Sequence, residues 1–320
     1  MNFKLLSVLI FVFLLISFSA SAQDLEVGLV SDIGGFGDNS YNEHLRSSLA
    51  QAEEDFDLNV DFRESKLMTE YQDNINYFAE NDFDLIWGVG FTMEQAIKEV
   101  AQMYPDLSFV IFDGTVEEEN VMSINFKKEE EAFLAGVIAA LESENKKVSF
   151  IGGKDNKETR SYQAGFETGV RSVNQEVEVV NRYLGSFNDF SKAEEVSGEL
   201  LEENVDLIFY AAGAASRGII NTALEEDIKL ISLDAADIDL APNNVITAVS
   251  KNTDSLVEQI VEEFKSDNFI SEIREYGLAD DAFILEQDQL SDMLDKDQIN
   301  KIEEYKQQFL AGEIEIQSEP

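Results

Sequence analysis

No cysteine occurs among the 320 residues of the chain. That excludes disulfides, thiolate metal sites, cysteine nucleophiles and a lipid-modified N-terminal cysteine, so stability rests on the core. Proline is scarce, with three residues, and no Pro/Gly/Ser-rich linker interrupts the sequence. Any domains are therefore joined closely. The single histidine, His44, falls in a helical stretch and reads as a packed or solvated imidazole. With no Gly-x-Ser-x-Gly elbow either, nucleophilic catalysis lacks a carrier. The acids match neither EF-hand nor His-Glu-x-x-His spacing, so neither a metal nor a cofactor is expected. Paired carboxylates of the glycosidase kind leave no such signature, and that enzyme class stays open at this point.

Basic residues are also few: 23 Lys and Arg stand against 65 Asp and Glu, a net charge of −42. Nucleic acids and anionic membranes demand cationic patches, so neither is expected as a partner. The acids are dispersed along the chain, and their self-repulsion opposes compaction. In molar salt the Debye length falls to about 3 Å and that repulsion largely disappears. The charge points to a salty habitat.

Long hydrophobic runs are missing except at the start. Met1 to Lys4 form a positive n-region, Leu5 to Phe18 an apolar run of 14 residues, and Ala20-Ser21-Ala22 a small-residue cleavage site. Residues 1–22 are expected to be a signal peptide removed before Gln23. The run is short for a span, which takes about 20 residues. The remainder is expected to be exported, without stable membrane insertion.

What the sequence does hold is an alternation of apolar strand-length runs and longer amphipathic stretches. Strands are expected at 25–31, 59–64, 83–88, 108–112 and 121–126, then at 147–151, 177–183, 205–211, 228–233 and 245–249. Helices are expected at 40–56, 69–81, 93–103, 128–143 and 160–173. Continuous apolar strands separated by helices mean parallel sheets covered on both faces, an α/β fold. The two series look like copies about 120 residues apart, too long for a solenoid unit and suited to two similar lobes. Asp84-Leu85-Ile86-Trp87-Gly88 echoes Asp206-Leu207-Ile208-Phe209-Tyr210. After them, 251–266 reads as a helix, 281–285 as one more strand, and the rest as helical up to Ala311-Gly312.

In open α/β sheets ligands bind beyond the carboxyl ends of the strands. The residues there are Asp32-Ile33-Gly34-Gly35, Gly88-Val89-Gly90-Phe91 and Asp113-Gly114-Thr115 in the first series. In the second they are Gly152-Gly153, Gly185 to Asp189, Ala212-Gly213, Asp234 and Lys251. Glycine lets a backbone approach a ligand, and Asp or Asn can bond hydroxyls or ring nitrogens. Three aspartates around one lysine disfavour phosphate, and no Gly-x-x-x-x-Gly-Lys loop exists. A neutral, hydroxyl-rich ligand with an aromatic face suits the set.

The segments VGLVSDIGGFGDNSYNEH, YLGSFNDFSKAEE, VDLIFYAAGAASRG and FLAGEIEI resemble the basic membrane protein family, whose characterised members include purine nucleoside receptors of ABC importers. The resemblance implies the type I periplasmic binding protein fold: two Rossmann-like lobes with hinge crossings. Residues 23–127 plus about 251–285 would form one lobe, and 128–250 plus about 286–320 the other. By the same resemblance Asp32 and Asp234 would hold ribose hydroxyls, helped by Gly213 and Lys251, and Asp113 would address the base edge. Tyr41, where relatives usually carry Phe, and Phe187 would sandwich the base, with Asn42 and Gly88 nearby. A permease would be the protein partner. Three departures stand out: the missing lipoprotein cysteine, Arg217 after the Ala-Ala-Gly triplet, and Ala235-Ala236-Asp237 after Asp234. Two further binding roles stay open: the same fold holding a sugar, and a receptor that serves a sensor instead of a transporter.

Overall fold

The computed structural model describes residues 25–36, 41–226 and 228–316, so the leader read over 1–22 lies outside the described residues. Apolar runs become strands, and the helices that follow them end on residues able to turn back. Asp57, Asp82 and Asn204 take positive φ at three of these helix-to-strand turns, which short polar side chains tolerate. The first lobe is laid down as β1 (Leu25–Val30), α1 (Tyr41–Phe56), β2 (Leu58–Arg63), α2 (Tyr71–Glu80), β3 (Leu85–Val89), α3 (Glu94–Met103), β4 (Ser108–Phe112) and β5 (Val121–Phe126). The second follows as α4 (Lys128–Glu142), β6 (Lys147–Gly152), α5 (Lys157–Val173), β7 (Glu178–Tyr183), α6 (Phe190–Glu202), β8 (Leu207–Ala211), α7 (Ser216–Glu226), β9 (Lys229–Ser232), α8 (Ala236–Leu240) and β10 (Val245–Lys251). The chain ends with α9 (Thr253–Lys265), β11 (Ile273–Tyr276), β12 (Phe283–Leu285), α10 (Gln287–Met293) and α11 (Lys296–Leu310).

Two six-stranded sheets result, in the orders β11-β5-β4-β3-β1-β2 and β12-β10-β9-β8-β6-β7. Position for position, the second sheet repeats the first, as the echoed sequence segments imply. All pairings are parallel except β10 with β12. The chain passes between sheets three times: from β5 into α4, from β10 into α9, and from β11 to β12. Backbone bonds tie these passages together, Lys127 N to Tyr276 O at 2.9 Å and Asn252 N to Ala282 O at 2.8 Å. Glu130 adds a side-chain tie, accepting from Leu278 N at 2.7 Å.

Three sequence expectations change. β11 was not anticipated: its four residues IREY are too few and too charged to form an apolar run, and only Tyr276 is buried. Phe283–Leu285, assigned above to the first lobe, pairs with β10 and so belongs to the second sheet. Lys251 is the last residue of β10 rather than the first of a helix.

One core cluster runs between the inner faces of both sheets and includes Trp87, Phe112, Phe126, Phe150, Phe209 and Phe283. Separate clusters fill the outer side of each lobe. α4 and α5 pack with their backbones almost touching. A Cβ at Gly136, Gly165 or Gly169 would collide with the carbonyl of Phe166, Glu129 or Phe133. This close approach accompanies the burial of Glu131, while Lys128, Glu129 and Glu130 before it stay partly exposed.

Candidate ligand site between the lobes

Strand order reverses between β1 and β3 in the first sheet and between β6 and β8 in the second. At such a switch point neighbouring connections leave in opposite directions and open a crevice. In the first lobe that crevice is polar. Asp32 follows β1, and its Oδ1 accepts from Gly34 N at 2.9 Å and from Asn42 Nδ2 at 2.7 Å. Gly90, after β3, has φ +90°, and a Cβ there would lie 3.4 Å from Asp32 Oδ2. Glycine is needed here for the backbone angle, since a Cβ at that distance would make only ordinary contact. Gly88, included among the ligand residues from sequence, lies inside β3 with its open side against Met93 and Ile97. Its place at the crevice is taken by Gly90, two residues on.

In the second lobe the crevice is aromatic. Gly185, with φ +79°, turns the chain after β7, and the Phe187 ring comes down on Gly153 and Gly213 from the ends of β6 and β8. A side chain at Gly153 would clash with that ring. Ala215 N donates to the Phe187 carbonyl at 2.9 Å and fixes the segment. The ammonium of Lys154 stands 6.0 Å from the ring centre.

A charged group joins the halves where the chain crosses. Asp113 follows β4 with φ +53°, a left-handed backbone that a short polar side chain tolerates. Its Oδ2 accepts from Lys251 Nζ at 2.6 Å, and Lys128 Nζ lies 3.7 Å from Oδ1. Sequence reasoning set Lys251 among Asp32, Asp113 and Asp234; of these the structure gives it Asp113 as its bonded carboxylate. The reason is position, because β10 ends beside the crossings, next to Phe126 at the end of β5. The Lys251 ammonium lies 4.2 Å from the Tyr41 ring centre and 5.0 Å from that of Phe126. Burial works against this ammonium, but Asp113 and Glu131 outweigh it and raise its pKa. Tyr41 also meets Phe126 edge-on at 6.3 Å. One face of Tyr41 is therefore covered, and no ring contact joins Tyr41 to Phe187 among the described residues.

Asp234 is half-buried; its Oδ1 accepts from Ala236 N and its N donates to Ser232 Oγ, both at 3.0 Å. Asp237 lies below it, taking Tyr210 Oη at 2.8 Å and Ser232 Oγ at 2.6 Å. Arg217 is exposed in the first turn of α7. Sequence reasoning missed Glu131, which is 1% exposed and accepts from Tyr162 Oη at 3.2 Å. Burial pushes its carboxyl up to about 7, with Lys251 pulling down and Asp113 pushing up. Three consecutive glutamates at a helix start read as a solvated, dipole-matched turn, and only the close α4–α5 packing reveals the buried one.

Buried polar atoms in folded proteins almost always find partners, so the exceptions are informative. Nine buried side-chain atoms among the described residues make no hydrogen bond, scattered over both lobes, and Tyr41 Oη, Asn42 Oδ1 and Asp113 Oδ1 are three of them. All three belong to residues singled out from the sequence. No group of His, Asp or Glu among the described residues is placed to hold a metal ion, and no described helix is long and apolar enough to cross a membrane.

Two parallel-sheet lobes, joined by three crossings and lined with polar groups where the strands end, define a substrate-binding protein of the periplasmic type. The chain belongs to the Bmp family, described as ABC transporter substrate-binding protein PnrA-like, whose model matches residues 25–319. The family is one of binding proteins, not enzymes. Among its relatives is the CD4+ T-cell-stimulating antigen of Listeria monocytogenes, 30% identical over 94% of this chain and 90% of that one. Basic membrane protein D of Borreliella burgdorferi is 31% identical over 80% and 77%. Among solved structures, an ABC transporter solute-binding protein from Aeropyrum pernix K1 superposes with TM-score 0.76 at 24% identity, covering 92% of this chain and 94% of that one. The arabinose-binding protein AraP of Geobacillus stearothermophilus gives 0.68 at 14%, covering 85% and 100%. These two likenesses speak for the fold alone.

Proposed function

We propose that this chain is exported by its leader, works outside the cytoplasmic membrane in a salty medium, and delivers a purine nucleoside to an ABC permease. The observation that carries the ligand reading is the set of orphaned buried atoms on Tyr41, Asn42 and Asp113. A ligand that satisfies Asn42 Oδ1 and Asp113 Oδ1 must offer hydrogen-bond donors, while the Tyr41 hydroxyl can meet either a donor or an acceptor. Phe187, seated on two glycines in the facing lobe, offers a ring for stacking. A nucleoside has both features: a flat base with N–H edges and a ribose whose hydroxyls suit Asp32 and Asp234. The carboxylates Asp32, Asp113 and Asp234 against Lys251 disfavour a phosphorylated form. Tyr41, already covered by Lys251, serves by its hydroxyl and by holding that ammonium more than as a second stacking face.

The family model, described as PnrA-like, supports a transporter role. A sugar ligand is the second reading, favoured by the fold shared with an arabinose-binding protein. Calorimetry of the chain starting at Gln23 against inosine, guanosine, adenosine, ribose and arabinose tests the choice. Tight nucleoside binding with weak pentose binding supports the proposal; the reverse order refutes it.

A further inference from the structure

Asp237 follows Asp234 by three residues and sits in a buried polar knot to which the ligand reading gives no task. It is 7% exposed, and Ser232 and Tyr210 beside it are buried too. A buried carboxylate is costly unless its bonds offset the lost water, and no cation pairs with Asp237 among the described residues. Two hydroxyls serve it instead: Tyr210 Oη at 2.8 Å and Ser232 Oγ at 2.6 Å both donate to Oδ2. Burial and the Asp237 charge raise the Tyr210 pKa, so that hydroxyl stays a donor. The sequence departs from the pattern of its relatives at this same point, where Ala235-Ala236-Asp237 follows Asp234.

Ser232 closes β9 and has one hydrogen to give. Asp237 takes it, which leaves the Ser232 lone pairs for Asp234, whose N–H donates to Ser232 Oγ at 3.0 Å. Two more bonds complete the turn, Ala236 N to Asp234 Oδ1 at 3.0 Å and Asp237 N to Asp234 O at 3.2 Å. We propose that Asp237 is a positioning residue of the ligand site, acting through Ser232: by taking the Ser232 hydrogen it holds that oxygen as the acceptor for the Asp234 N–H, and so sets where the Asp234 carboxylate meets a ligand hydroxyl. Without an acceptor at 237 nothing directs the Ser232 hydrogen away from Asp234, and the turn that aims the carboxylate loosens. The proposal rests on the reading of Asp234 as a ligand group, though not on the ligand having a base.

Asparagine at 237 keeps an oxygen where Oδ2 stands; leucine keeps the bulk and loses the acceptor. Calorimetry should find inosine affinity within about twofold of wild type in Asp237→Asn and about fivefold weaker in Asp237→Leu, the worth of one lost hydrogen bond. In the ligand-free protein the Asp234 amide signals in proton–nitrogen NMR should shift in Asp237→Leu and Ser232→Ala and stay close to wild type in Asp237→Asn. Because Asp237 acts through Ser232, Ser232→Ala/Asp237→Leu should bind inosine no worse than Ser232→Ala alone. Hypoxanthine, the base of inosine without its ribose, should be indifferent to all these changes, whereas a general loosening of the lobe would weaken both ligands. Asp237→Leu leaves the Tyr210 donor buried without its acceptor. If that variant does not fold, Tyr210→Phe/Asp237→Leu removes the donor and carries the same expectation. An Asp234 amide signal that ignores residue 237, or equal losses for inosine and hypoxanthine, overturns the proposal. A fivefold loss for ribose, in a protein that does not bind inosine, sustains it and removes the nucleoside reading instead.

Discussion

The two switch points of this molecule share a topology and differ in everything they present. Between β1 and β3 the crevice holds Asp32, clamped by Gly34 and Asn42 and approached by Gly90. Between β6 and β8 it holds the Phe187 ring, seated on Gly153 and Gly213. The repeated strand order decides where chain ends converge, and the residues at those ends decide what a ligand meets. Glycine does the same job in both lobes, letting something come close, yet in one the guest is a carboxylate and in the other an aromatic ring. On the function proposed here, the duplicated fold would act as an asymmetric clamp with one polar and one flat jaw.

The largest effect should come from the polar jaw. Asp32→Ala leaves the Asn42 amide without its acceptor and removes a charged partner of the ligand. Losing one side of a buried charged bond costs about 2–5 kcal/mol, so nucleoside affinity should fall by about thirtyfold or more in calorimetry. A loss below about threefold would mean the first jaw does not grip the ligand. Phe187→Ala tests the flat jaw. Base–aromatic stacking is worth about 1–3 kcal/mol, so nucleosides should weaken about five- to a hundredfold while pentoses barely change. Equal losses for both ligand classes would remove the stacking role.

Much of this was readable in the sequence, for a physical reason. Strands buried on both faces are unbroken apolar runs, and the residues after them are polar or glycine, so both the sheets and the exits stood out. β11 escaped because a four-residue edge strand with two charged residues has no such run. Asp32, Asp113 and Phe187 stood out as residues at strand exits, and Asn42 entered through the family resemblance; which carboxylate Lys251 takes was not legible, since that depends on where β10 ends in space. Gly88 and Gly90 are separable only once the strand's last residue is known. Glu131 was hidden for the same reason, its burial going with the close approach of a different helix.

Smaller effects sharpen the picture of the join between the jaws. Glu131 has a raised pKa in the folded state, so the native protein holds a proton that the unfolded chain has released. Stability should therefore fall as pH rises from about 4.5 to about 7 and level off above that, by an amount on the order of 3 kcal/mol. Glu131→Gln should flatten this slope in chemical denaturation, and an unchanged slope would contradict the burial argument. Melting temperature should climb between about 0.05 and about 2 M KCl as the net charge of −42 is screened. A melting temperature indifferent to salt would leave the acidic surface without that explanation. Tyr41→Phe should act with opposite signs: it removes a buried hydroxyl with no partner, so the free protein gains stability. Binding should weaken by about 0.5–1.5 kcal/mol if a ligand satisfies that oxygen.

The central claim is that one ligand engages both jaws at once, the hydroxyl-binding first lobe and the stacking second lobe. A double-mutant cycle of Asp32→Ala and Phe187→Ala, read by calorimetry with inosine and with ribose, tests it most directly. The account predicts that both single changes weaken inosine, that only Asp32→Ala weakens ribose, and that inosine binds wild type far more tightly than ribose. Ribose or arabinose binding tightly, with inosine not binding at all, would contradict it.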